Sequence, residues 1–202
     1  MSEKSITIGS PASRVLRSGL SRSKIGAEGE AWTALDIHRR FADDHPEVVV
    51  AHSLSIPGST ADIDHLVVIG DHMTVIDSKV WSSKRRWGLV DGDNGPPLAV
   101  SVDKDNGDTS SLSYFPVTVE WQADQIRAMF PEHTVDGVLC VHGLDDSLKF
   151  PMVENYIDPR SPGYVPVLSL HYLVVRLRYI WNRHKPQAVN AEVVDRLRLL
   201  TE

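Results

Sequence analysis

Apolar positions recur with two periods along this chain, and the switches between periods mark its elements. Ala34, Ile37 and Phe41 fall at helical spacing and predict a helix over about 27–42. Glu30 lies on the same face, four residues before Ala34. A carboxylate on the core side of a helix is costly unless it is paired or bound to a metal. Strand patterns follow at 47–54, 62–69 and 73–80, the last two joined through Gly70-Asp71-His72 as a tight hairpin. Further strands are predicted at 87–90 and 98–102, around a Gly/Asn/Pro turn at 91–97, with a polar loop at 103–113. Val119, Ala123, Ile126 and Phe130 set the stripe of a helix over 117–130, flanked by Gln122, and 135–141 reads as a buried strand. Residues 144–166 are irregular and hold four prolines. Helices are expected over 170–181 and from the N-cap Asn190 to about 200.

Strand parity sorts the hairpin side chains. Asp62, Asp64 and Leu66 share one face, and Ile63, His65 and Val67 the other. In the next strand Val75, Asp77 and Lys79 share a face, opposite Ile76 and Ser78. The hairpin therefore brings Asp64 near Asp77 and Lys79. Phosphodiester hydrolysis needs an activated water and stabilised charge on the phosphate and leaving oxygen, which Mg²⁺ supplies when carboxylates hold it beside the scissile bond. Asp64 and Asp77 are the candidate ligands, the Ser78 carbonyl a third oxygen, and Lys79 a contact to the phosphate or the attacking water. Glu30 completes the metal shell or positions a water.

Of the 202 residues, 42% are hydrophobic, enough for the core of one α/β domain. Three segments are expected: a flexible basic arm at 1–23, a core at 24–143, and an extension at 144–202 packed on it. The arm is polar, without the apolar stretch of a secretory signal, and no apolar run reaches the roughly 18 residues of a membrane span. Cys140 is the single cysteine and reads as a small packed hydrophobe, which with the rest suggests a cytoplasmic setting. A net charge of -6 argues against coating nucleic acid by bulk charge, though not against an acidic, metal-neutralised site. The basic knot Lys84-Arg85-Arg86, flanked by Trp81 and Trp87, is the candidate nucleic-acid contact; Trp32 and Trp181 read as core. Nine histidines invite zinc, but no H-E-x-x-H or Cys/His cluster occurs; His65 reads as structural and His72 as a solvated turn residue. Serine-nucleophile and Walker glycine motifs are absent, and Gly26 and Gly29 read as a bend leading into the first helix.

Gly26-Ala27-Glu28-Gly29-Glu30, Ile63-Asp64-His65, Val75-Ile76-Asp77-Ser78-Lys79 and Trp87-Gly88-Leu89 occur in the order seen in the nuclease-related domain family, NERD, which the chain resembles over roughly 24–130. That family resembles a branch of the PD-(D/E)xK superfamily. The resemblance implies a restriction-endonuclease-like core, a mixed central sheet flanked by helices, here with a C-terminal helical extension. It implies an Mg²⁺- or Mn²⁺-dependent nuclease acting on DNA, with Glu30, Asp64, Asp77 and Lys79 matching the family's site. Asp77 stands where the family usually has Glu, and Asp62 where it usually has Gln. The family's helical Gln matches Gln122 or Gln125, with Trp121 and Glu120 on the same turn. A second reading is a nuclease fold without cleavage, serving as a DNA-binding or assembly module within a larger complex. The apolar, Arg-bearing helix at 170–181 suits a homodimer.

Overall fold

Alternating apolar side chains produce a hairpin whose strands are Asp62–Ile69 (β3) and His72–Val80 (β4), closed at Gly70, whose φ of 63° lies in the left-handed region that glycine enters freely. Around it a computed structural model describes residues 5–11, 21–80, 85–92, 95–103, 105–106, 109–112, 117–142, 165–184 and 188–201. The side chains of 21–25, of 117 and 167, and of the strands between 85 and 112 fall outside that description. The remaining elements are β1 (Ile6–Ile8), α1 (Ser21–Arg40), a 3₁₀ turn (Ala42–Asp44), β2 (Val49–Ser55), β5 (Arg85–Gly92), β6 (Gly95–Asp103), β7 (Thr109–Leu112), α2 (Val117–Met129), β8 (Thr134–His142), β9 (Val167–Leu168), α3 (Leu170–His184) and α4 (Ala191–Arg198).

The fold is α/β. Its main sheet runs β1-β2-β3-β4-β8-β9, and β5-β6-β7 form a second, antiparallel sheet. The main sheet is mixed: β2-β3-β4 are antiparallel, whereas β1 lies parallel to β2, β8 to β4 and β9 to β8. Two apolar layers sandwich it. Leu66, Val68 and Val75 pack beneath α2 (Val119, Ala123, Ile126) and α4 (Val193, Val194, Leu197). Val67, Ile69 and Ile76 pack beneath α1 (Ile37, Phe41) and α3 (Leu173, Val174, Leu177, Ile180). Each such side chain, fully buried, contributes about 1.5–3 kcal/mol of transfer free energy. The C-terminal helices thus complete both layers. Asn190 caps α4 by accepting the Glu192 N–H, as expected from its position.

Several expectations change. In the segment read as a flexible arm, Ile6–Ile8 adds an edge strand and Ser21 already begins α1, so the helix starts earlier than 27. Apolar periodicity locates only the buried part of a helix, so its solvated first turn gave no signal. Gly26 and Gly29 lie inside α1, not in a bend. Thr109–Leu112 within the supposed loop pairs with β6. His72 is buried at the start of β4, 3.4 Å from Asp136. Trp32 is 50% exposed, because its helix packs through Thr33, Ala34 and Ile37 instead. Ile63 leaves the layer of Val67 and joins that of Leu66. This coincides with Ser53, the β2 residue opposite Asp64, which sits at φ 53° where the β2-β3 ladder skips from His52↔His65 to Leu54↔Ile63.

Candidate active site

The hairpin ladder pairs residues from Ile69↔His72 to His65↔Ile76 and stops there. Asp64 and Asp77 are the next facing residues. In place of a ladder bond, the Asp64 carboxylate accepts the main-chain N–H of Ser78 at 2.7 Å. Asp77 is 6% exposed, and its Oδ1 lies 2.6 Å from Lys79 Nζ, a pair that parity on one strand makes possible. The Lys79 side chain is half-exposed, so its ammonium stands at the rim while Asp77 anchors it.

Glu30 reaches this point from α1 because the helix crosses the end of β4 at very short range. A Cβ on Gly29 would stand 2.5 Å from Val80 Cγ2, so only glycine permits the approach. Glu30 is buried, and its charge acts on both Asp64 and Lys79. From the other layer, α2 approaches β8 over Gly137, where a Cβ would meet Val119 Cγ1 at 2.7 Å. That seats Gln122, whose Nε2 donates to the Asp62 carbonyl at 2.6 Å, while its Oε1 has no hydrogen-bond partner among the described residues. Gln125 is half-buried and Trp121 exposed, so among the described contacts Gln122 is the residue of this turn that touches β3.

Three carboxylates against one ammonium leave a surplus of buried negative charge. Burial, then the charges of Asp77 and Glu30, hold the Asp64 carboxyl well above its ordinary pKa; Lys79 and the Ser78 N–H oppose this without cancelling it. Burial lowers the Lys79 pKa, but Asp77, Asp64 and Glu30 outweigh it and the net shift is upward, so the ammonium stays charged. The charges acting most strongly on Asp64 are those of Asp77, Glu30 and Lys79.

Among the described residues no three His, Cys, Asp or Glu side chains close into a ready ligand set for a metal ion. Magnesium does not require one: it is held by one or two carboxylates, with waters and substrate phosphate filling its octahedron. The Asp64–Asp77 pair, short of positive charge and facing itself across an opened ladder, fits that demand.

Glu30, Asp64, Asp77, Lys79 and Gln122 thus come from four elements to one end of the sheet. Ser78 lies there too, with its hydroxyl turned toward α1, donating to Thr33 Oγ1 at 2.9 Å. Lys84 lies outside the described residues; Arg85 and Arg86 open β5, and their side chains also fall outside. His65 is fully buried, with its Nδ1 2.8 Å from that of His52. Sequence reasoning missed Thr33 and His142, and read Gly29 as a bend and not as a close-approach site. Thr33 follows Glu30 by three residues, a spacing that puts both on one helix face. His142 reaches α1 only through the parallel β4-β8 pairing, which local pattern does not reveal.

Comparison with curated proteins and with solved structures gives no match. Residues 25–104 match the family model of the nuclease-related domain, a span that holds α1 from Ile25 onward, β2 to β4, and Glu30, Asp64, Asp77 and Lys79. Over residues 25–104 the chain is thus similar to the nuclease-related domain, NERD.

Proposed function

We propose that this protein is a metal-dependent nuclease that hydrolyses phosphodiester bonds in DNA with Mg²⁺ or Mn²⁺. The observation that carries this reading is the opened end of the β3-β4 ladder, where Asp64 and Asp77 face each other beside Lys79 and Glu30 inside the nuclease-related segment. Asp64 and Asp77 would hold the metal, with the Ser78 carbonyl and Glu30 as further oxygens. The bound ion supplies Lewis-acid stabilisation of phosphate charge and a more acidic water. The chain's own residues do the remaining work. Lys79 Nζ, anchored on Asp77, offers a fixed cation to a non-bridging phosphate oxygen at the rim. Glu30 orients the attacking water. Ser78 N–H keeps Asp64 turned toward Asp77. Gln122 ties α2 to the start of β3 and so holds that side of the opening. The basic knot Lys84-Arg85-Arg86 supplies further phosphate contacts in this reading.

The test is incubation of purified protein with plasmid, linear duplex and single-stranded DNA, and with RNA, in Mg²⁺, in Mn²⁺ and in EDTA. Cutting of DNA in metal that EDTA stops is expected. Retention of DNA with no cutting under any metal would support the assembly-module reading instead.

A further inference from the structure

The hydroxyl and imidazole groups behind the acidic site form one directed chain. Ser78 Oγ donates to Thr33 Oγ1 at 2.9 Å, and Thr33 Oγ1 lies 2.7 Å from His142 Nε2. The His142 ring also lies against Gly29 of α1, its Cδ2 3.7 Å from where a Gly29 Cβ would stand. Because Thr33 Oγ1 accepts from Ser78, its own proton is available to His142 Nε2 in the tautomer that leaves this nitrogen bare. The Cys140 Sγ, at 3.9 Å, is a far weaker claimant on the Thr33 proton. Ser78, Thr33 and His142 are all buried, and the exposed Trp32 ring lies 5.7 Å from the His142 ring.

The two points at which this chain grips α1, Gly29 and Thr33, bracket Glu30 on consecutive turns. Its other end is Ser78, between Asp77 and Lys79. Apolar residues at positions 33, 78 and 142 together would fill the same space without the desolvation cost of three polar groups, so the polar solution serves geometry more than stability. We propose that Thr33 and His142 are positioning residues of the acidic site: the chain from Ser78 through Thr33 and His142 to Gly29 clamps the Glu30 turn of α1 onto β4 and fixes Glu30 against Asp64, Asp77 and the divalent cation. This rests on the metal-dependent reading of the site.

The test compares wild type, Thr33→Val, Thr33→Ser and Ser78→Ala, each also in a Glu30→Gln background, after thermal melts establish that each is folded. Ser78→Ala keeps the main chain and serves if Thr33→Val does not fold. Two readouts are taken: Mn²⁺ affinity by titration calorimetry, and DNA cleavage resolved into kcat and KM. Thr33→Val is expected to weaken Mn²⁺ binding about 10-fold and to lower kcat while KM stays within about 2-fold. Thr33→Ser restores both. In the Glu30→Gln background Thr33→Val adds nothing, because it acts through Glu30. Wild-type affinity and kcat in folded Thr33→Val, or the same loss with Glu30→Gln already present, overturns the proposal. Wild-type protein that binds Mn²⁺ without cutting refutes the nuclease reading alone, and the affinity series still decides the clamp. Wild-type protein that does neither overturns both.

Discussion

Asp64 accepts the Ser78 N–H at 2.7 Å in place of the ladder bond that the hairpin ceases to make after His65↔Ile76. The carboxylate is therefore part of the sheet's own hydrogen bonding as well as a candidate ligand. Asp64→Asn keeps an acceptor for Ser78 and removes the charge. The Asp64 carboxyl titrates above its ordinary 3.8 when folded, so its favourable contribution is complete below that value and is lost as pH rises through the folded pKa. In EDTA, wild type is expected to lose stability relative to Asp64→Asn on going from about pH 4 to about pH 8. Paired denaturant melts read the difference; parallel curves would contradict the buried-charge account.

A second pH effect has the opposite sign. Burial, with His38 adding, lowers the His52 pKa from 6.5 to about 4, and its Nδ1 and Nε2 lie 2.8 Å from His65 and 3.2 Å from His38. An imidazole held neutral in the fold stabilises fully above 6.5, and that contribution drains away as pH falls toward the folded value. His52→Gln is expected to flatten the acid limb of the stability curve between those two values. An unchanged limb would show that His52 does not titrate this way.

Two helical glycines make a contrast. Gly29 has Val80 Cγ2 2.5 Å from where a Cβ would stand, whereas Gly26 has nothing within 4 Å. Gly29→Ala is expected to cost about 1–3 kcal/mol by overpacking and to impair cleavage, because it lifts the Glu30 turn. Gly26→Ala is expected to gain about 0.5–1 kcal/mol from helix propensity. Urea melts of the two variants suffice; equal responses would mean that α1 does not approach β4 as described.

Cys140 supplies a simpler check. Burial pushes its thiol pKa up to about 12, and no thiolate forms near neutrality. Native protein is expected to resist a thiol reagent at about pH 8 and to react fully once unfolded. Fast native labelling would place Cys140 on an accessible surface.

The hairpin was the most legible part of the chain because its information is local. Period-two alternation located Asp62–Ile69 within its observed bounds and put Asp64 beside Asp77, and the Asn190 cap announced α4. What escaped was set by distant partners. The three residues of β1 form a strand only because Val49–Ala51 offers a parallel edge. His142 meets Thr33 only because α2 carries the chain back to lie parallel to β4. Trp32 has helical apolar spacing, yet the layer beneath α1 is filled by Ile37 and Phe41, which leaves it outside. Parity also failed at Ile63, where a left-handed Ser53 twists the strand pair.

Metal-dependent DNA cleavage at the opened ladder end is the activity proposed for this protein. Its most direct test is the plasmid cleavage rate in Mg²⁺ of wild type, Asp64→Asn and Lys79→Ala, each with an intact melting transition. The expected result is cutting by wild type that EDTA abolishes, and rates reduced at least about 100-fold in both variants. Metal-dependent cutting that survives both substitutions would place the chemistry elsewhere in the molecule.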